Sequence, residues 1–176
     1  KKKKKVTENW NGSSWTEVGD LNTARYAAGG GGTNTSALCY GGERPAYNDG
    51  KNESWNGSSW TEVADLNTGR AYGSGGGTST SAIAAGGYTG TVRSEAETWD
   101  GSSWTEVSNL NSGRYNMGGA GSSNTNALIF GGTTTSSPVT RSNIVESWNG
   151  SSWTEVGDLN LTRYDVGGAG TNTDAP

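Results

Sequence analysis

Residues 11–18 read NGSSWTEV, and the same eight letters return at 56–63 and 149–156, while residues 100–107 differ only in carrying Asp100 for asparagine. Working outward, a tryptophan precedes each copy, at Trp10, Trp55, Trp99 and Trp148, so the period is 45, 44 and 49 residues. A second tryptophan follows five residues on, at Trp15, Trp60, Trp104 and Trp153. Ten residues later comes an arginine: Arg25, Arg70, Arg114 and Arg163. A glutamate stands two residues before each first tryptophan, at Glu8, Glu53, Glu97 and Glu146. Glycine pairs at Gly41-Gly42, Gly86-Gly87 and Gly131-Gly132 close short apolar runs that read ALCY, AIAA and ALIF. Self-similarity at this period marks one supersecondary module per unit.

Each unit divides into four strand-like pieces. The first follows the arginine and is rich in glycine and alanine, as in RYAAGGGGT at 25–33. The second is the apolar run, whose continuous character suits a strand covered on both faces. The third carries Glu-x-Trp and the fourth starts at the second tryptophan. Between them Asn-Gly is the strongest short hairpin signal, because both residues tolerate positive φ. Helix is disfavoured, since no window has a 3.6 period and interior glycines cost about 1 kcal/mol each.

Four strands per unit is the content of a propeller blade. The innermost strand crowds the axis, where Gly and Ala fit, and outer strands have room for Trp. The expected fold class is therefore all-β: a β-propeller of four-stranded antiparallel blades, of about four blades or a segment of a six- or seven-bladed ring. Residues 1–5 read as a basic tail or artefact and 6–24 as a partial blade holding strands three and four. Blades are expected over 25–69, 70–113 and 114–162, with strand one of a further partial blade at 163–176.

An apolar run, a glycine pair, Glu-x-aromatic, Trp, Leu and then Arg, in that order, resemble the kelch repeat of propellers like the central domain of galactose oxidase. The first aromatic here is Trp, where kelch units usually carry Tyr. The resemblance implies a recognition or assembly module, with a protein or glycan bound at a propeller face and with remaining blades or a neighbouring subunit as packing partners.

Composition narrows the chemistry. The 176 residues include 30 glycines, eight tryptophans, one cysteine and no histidine. Histidine-based acid–base chemistry, the usual His-bearing metal sites and an internal disulfide are thereby removed, and no metal or cofactor is expected. Net charge is -4, yet residues 1–5 are all lysine and Lys51 is the only other lysine. An acidic body argues against a nucleic-acid partner, which needs clustered cations. No stretch approaches the ~18 apolar residues of a spanning helix, so membrane insertion is not expected.

Recurrent residues are read as structural. A catalytic constellation is asymmetric, whereas Glu and Arg recur in every unit, so the expectation is a Glu–Arg pair tying strand three to the loop entering strand one. The tryptophan pairs are expected to pack blade on blade, and Cys39, aligned with Ala84 and Ile129, to be a small buried hydrophobe. The units differ in the segment after the glycine pair, which reads ERPAYNDGKN, YTGTVRSEA and TTTSSPVTRSNIV. Length variation in repeats maps to loops on one face, often the binding face. Arg44, Tyr47, Asn48, Tyr88, Arg93 and Arg141 are accordingly the candidate ligand-binding residues. The expected function is non-enzymatic recognition or assembly at an extracellular or virion surface, such as a tail fibre. The alternative is the non-catalytic part of a glycan-active propeller enzyme.

Overall fold

The structure is a computed structural model that describes residues 6–44 and 47–171, with backbone alone for 44, 47 and 48. Among the described residues every regular element is a strand. A two-stranded hairpin, β1 (Thr7–Trp10) and β2 (Trp15–Val18), precedes three four-stranded blades. Blade one is β3 (Gly29–Thr33), β4 (Ser36–Tyr40), β7 (Asn52–Trp55) and β8 (Trp60–Val63), with a small hairpin β5 (Glu43–Arg44) and β6 (Tyr47–Asn48) between its second and third strands. Blade two is β9 (Ser74–Thr78), β10 (Ser81–Tyr88), β11 (Val92–Trp99) and β12 (Trp104–Val107). Blade three is β13 (Gly118–Ser123), β14 (Asn126–Phe130), β17 (Val145–Trp148) and β18 (Trp153–Glu155), interrupted by the hairpin β15 (Thr133–Ser136) and β16 (Val139–Arg141). Each blade is an antiparallel meander in chain order.

Blades lie side by side through their first strands. A Cβ on Gly31 would stand 2.9 Å from the Gly77 carbonyl oxygen, one on Gly76 2.7 Å from the Gly121 nitrogen, and one on Gly168 2.2 Å from the Gly119 oxygen. Neighbouring backbones thus occupy the space of a side chain, which is why these strands are glycine. Residues 168–170 of the last unit join the same axial cleft of about 580 Å³, whose walls are almost wholly glycine.

Backbone bonds then lace the blades at one end. The amides of Gly42, Gly87 and Gly132 donate to the carbonyls of Arg70, Arg114 and Arg163 of the next unit, at 2.9, 2.8 and 2.8 Å. Both members of each glycine pair have positive φ, the conformation that only glycine takes freely. A second chain of bonds runs from Tyr72 to Ala27, Asn116 to Tyr72 and Asp165 to Asn116, at 2.9, 2.8 and 2.9 Å. Those four residues hold φ of 53 to 58°, a left-handed conformation that for Ala and Tyr is an outlier stabilised by its surroundings.

Apolar faces close between blades. Leu38, Tyr40 and Leu66 of the blade-one side meet Ala82, Ala84, Trp99 and Trp104 of blade two. Ile83, Ala85 and Leu110 meet Ala127, Ile129, Trp148 and Trp153 in the same way. Within each hairpin the two tryptophans face each other across the strands, with centroids 5.2 to 5.5 Å apart, a cross-strand aromatic pair.

The Asn-Gly turn departs from expectation. Only its glycine has positive φ, 95 to 99° across the four turns. The asparagine instead acts through its side chain: Asn56 Oδ1 accepts from Ser58 N, Ser58 Oγ and Ser59 N, each at 2.9 Å. Asp100 does the same, and the Ser103 and Ser102 amides hold its carboxyl down at about 2. This turn's contribution is whole above the ordinary carboxylate range near pH 4 and fades only as pH falls through that lower value. An NMR titration of the Asp100 carboxyl should show the low midpoint; one near 4 would contradict the geometry.

Two further expectations need correction. Trp10 and Trp15 are 43 % and 65 % exposed, because among the described residues β1 and β2 form a two-stranded sheet with no first and second strand beside it. Cys39 is only half-buried, since β1 and β2 leave the blade-one face it shares with Ala37 partly uncovered. The lysine run at 1–5 and residues 172–176 lie outside the described residues.

Candidate functional site

The recurrent charges form one arrangement three times. Arg25 Nη2 lies 3.2 Å from Glu53 Oε1, Arg114 Nη2 lies 2.9 Å from Glu146 Oε1, and Arg70 pairs with Glu97. Each carboxylate also accepts from the loop entering its blade: Glu146 takes Asn111 N at 2.7 Å, Asn111 Nδ2 at 2.9 Å and Ser112 N at 3.3 Å. All six side chains are at most 2 % exposed. Burial pulls the Arg70 and Arg114 guanidiniums down, and the facing carboxylates oppose it. Completely enclosed, these pairs are closed to any ligand. Glu8 and Arg163 are exposed instead, and among the described residues neither makes the pair.

What remains open lies at the laced end, where entry loops and second-to-third-strand hairpins come together. Tyr26, Ala71 and Tyr115 bridge Glu43, Tyr88 and Thr133, the residues just after the glycine pairs. Three half-exposed rings meet there: Tyr88 and Tyr115 at 5.3 Å, and Tyr115 and Tyr72 at 6.5 Å with planes 74° apart. Tyr72 Oη donates to Glu43 Oε2 at 2.9 Å, so the row runs from blade one across blade two to blade three. Loss of solvent, then the Glu43 hydrogen bond, pushes the Tyr72 phenol up to about 12. Glu43 also raises Tyr26, through a hydrogen bond first. At the far end the Arg141 guanidinium lies 4.8 Å from the centroid of the Tyr164 ring, a cation–π contact.

Of the residues singled out in the sequence, the structure brings Tyr88 into this cluster and sets Arg141 on Tyr164. Arg93 turns away to Glu95, at 3.2 Å. The Arg44 and Tyr47 backbones pair in the β5–β6 hairpin, as do Glu43 and Asn48, and the side chains of Arg44, Tyr47 and Asn48 lie outside the described residues. Sequence reasoning missed Tyr26, Tyr72, Tyr115, Tyr164 and Glu43. A signal existed: a tyrosine directly follows the repeat arginine in three of four units and stands one residue later in the other.

Fold and face together define an all-β, blade-like repeat protein with an aromatic surface at one end. Compared with known proteins, the chain matches no family model and no curated protein.

Proposed function

We propose that the chain is a kelch-like propeller module that recognises a glycan without catalysing a reaction, at a cell or virion surface, and that the tyrosine face is its binding surface. The observation that carries this reading is the continuous Tyr72–Tyr115–Tyr88 row, half-open to water at the end where the units differ in length. Rings needed only for packing lie inside blades, as Trp99 and Trp148 do at 1 % exposure each. These tyrosines instead offer apolar faces for the C–H side of a sugar ring and hydroxyls for its polar rim. Their partial anchoring by backbone bridges and Glu43 lowers the entropy lost on binding. The kelch resemblance supports a scaffold whose repeated residues hold blades while its variable residues select a ligand.

A glycan array followed by calorimetry tests it. The chain should bind a restricted set of glycans, and Tyr88→Ala and Tyr115→Ala should each weaken binding at least about tenfold at unchanged melting temperature. An empty array, or undiminished binding by both variants, would sink the proposal.

A further inference from the structure

We infer, on the reading that the tyrosine face binds a glycan, that this glycan carries a free ammonium group, as a deacetylated amino sugar does. Glu43, with the Tyr26 and Tyr72 phenols bonded to it, is the group that receives the ammonium.

Glu43 and Tyr72 each break the repeat. Glu43 directly follows its glycine pair, where the next two units carry Tyr88 and Thr133. Tyr72 stands where the other units carry Ala27, Asn116 and Asp165. Its φ of 58° is strained for a bulky side chain, and such strain persists only where the surroundings fix it, often at ligand sites. The two residues meet between blades one and two, each of which has all four strands. They are thus an asymmetric constellation on a scaffold whose other charged pairs recur unit by unit.

Hydrogen-bond polarity then selects the ligand group. Tyr72 Oη gives its only proton to Glu43 Oε2, at 2.9 Å, and the Tyr26 hydroxyl bonds the same carboxylate. Backbone bonds keep Tyr26 and Glu43 side by side, Tyr26 N to Glu43 O at 3.2 Å and Glu43 N to Tyr26 O at 2.8 Å. A phenol has one O–H and an ionised carboxylate none, so these three side chains can only accept from a ligand. An ammonium is their complement, with three donors and no acceptor. A carboxylate or sulfate on a sugar would bring acceptors against acceptors, and an acetamide would offer a single neutral N–H.

Charge points the same way. The Asp165 carboxylate acts on the Tyr72 phenol alongside Glu43, whereas Arg93 is engaged by Glu95 at 3.2 Å and Arg141 lies 4.8 Å from the Tyr164 centroid. Glu43 is half-buried, so salt and water screen it less than a fully exposed carboxylate. Beside it the Tyr72 and Tyr115 rings, 6.5 Å apart, offer faces that attract a cation and the C–H side of the sugar that carries it.

Calorimetry with two oligosaccharides of equal length and linkage, one of glucosamine and one of N-acetylglucosamine, isolates the nitrogen. The glucosamine oligomer should bind at least about tenfold more tightly. Glu43→Gln, which keeps an acceptor for both phenols, should abolish that preference at unchanged melting temperature. Glu106→Gln, which removes an equal charge from an exposed outer strand, should leave it intact and so separates the site from general attraction of a polycation to an acidic protein. The ammonium assignment is overturned if the glucosamine oligomer does not bind, if the two oligomers bind equally, or if the preference survives Glu43→Gln or is lost equally in Glu106→Gln. In each of those cases glycan recognition itself still stands when other glycans bind through Tyr88 and Tyr115, whereas an array without hits removes both.

Discussion

Glu146→Ala is expected to destabilise the fold by about 3–5 kcal/mol, while Glu8→Ala changes it by less than about 0.5 kcal/mol. The two residues hold the same place in the repeat. Glu146 is 0 % exposed and accepts four hydrogen bonds, from Asn111 N, Asn111 Nδ2, Ser112 N and Arg114 Nη2. Truncation leaves the Arg114 guanidinium, itself 0 % exposed, as an uncompensated charge, together with unpaired donors on the loop. Most of the cost comes from those stranded groups rather than from the pair's net attraction. A companion Arg114→Met, Glu146→Leu double variant should recover part of the loss, since no charge is then stranded. Urea unfolding followed by tryptophan fluorescence measures all of these; equal effects at positions 8 and 146 would refute the burial argument.

Trp148→Ala should cost about 3–5 kcal/mol, against under about 1 kcal/mol for Trp10→Ala. Trp148 is 1 % exposed, donates from Nε1 to the Asn124 carbonyl at 2.9 Å and lies 5.2 Å from Trp153. Its removal opens a void between blades two and three, where Ile83 and Ile129 also pack, and leaves the half-buried Asn124 carbonyl without this donor. Among the described residues no turn between first and second strands receives Trp10 Nε1, and water already reaches 43 % of the ring. Thermal melts decide between them: a Trp148 variant as stable as the Trp10 variant would show that the blades are not joined through their indoles.

Much of this was legible beforehand because it is local or periodic. The Trp-Asn-Gly-Ser-Ser-Trp segment carries its hairpin in its own letters, since the Asn56 carboxamide reaches its donors only two and three residues away. Glycine in first strands and alanine in second strands mark crowding that recurs with the period. The tyrosine row was not legible. It assembles Glu43, Tyr72, Tyr88 and Tyr115 from three blades, and no spacing along the chain predicts which rings meet at 5.3 Å.

By itself the sequence determined the unit: four strands, their order, the turn between paired tryptophans, and a glutamate and an arginine in constant step. Those properties depend on neighbours in the chain, and the chain repeats its neighbours. Tertiary structure alone decided that Trp148 is enclosed and Trp15 open. It also decided that Glu146 is cradled and Glu8 not, and that Ala27, Tyr72, Asn116 and Asp165 share one left-handed conformation. Burial, pairing and backbone strain of this kind are set by what lies across a gap between blades, and identical letters meet different surroundings there.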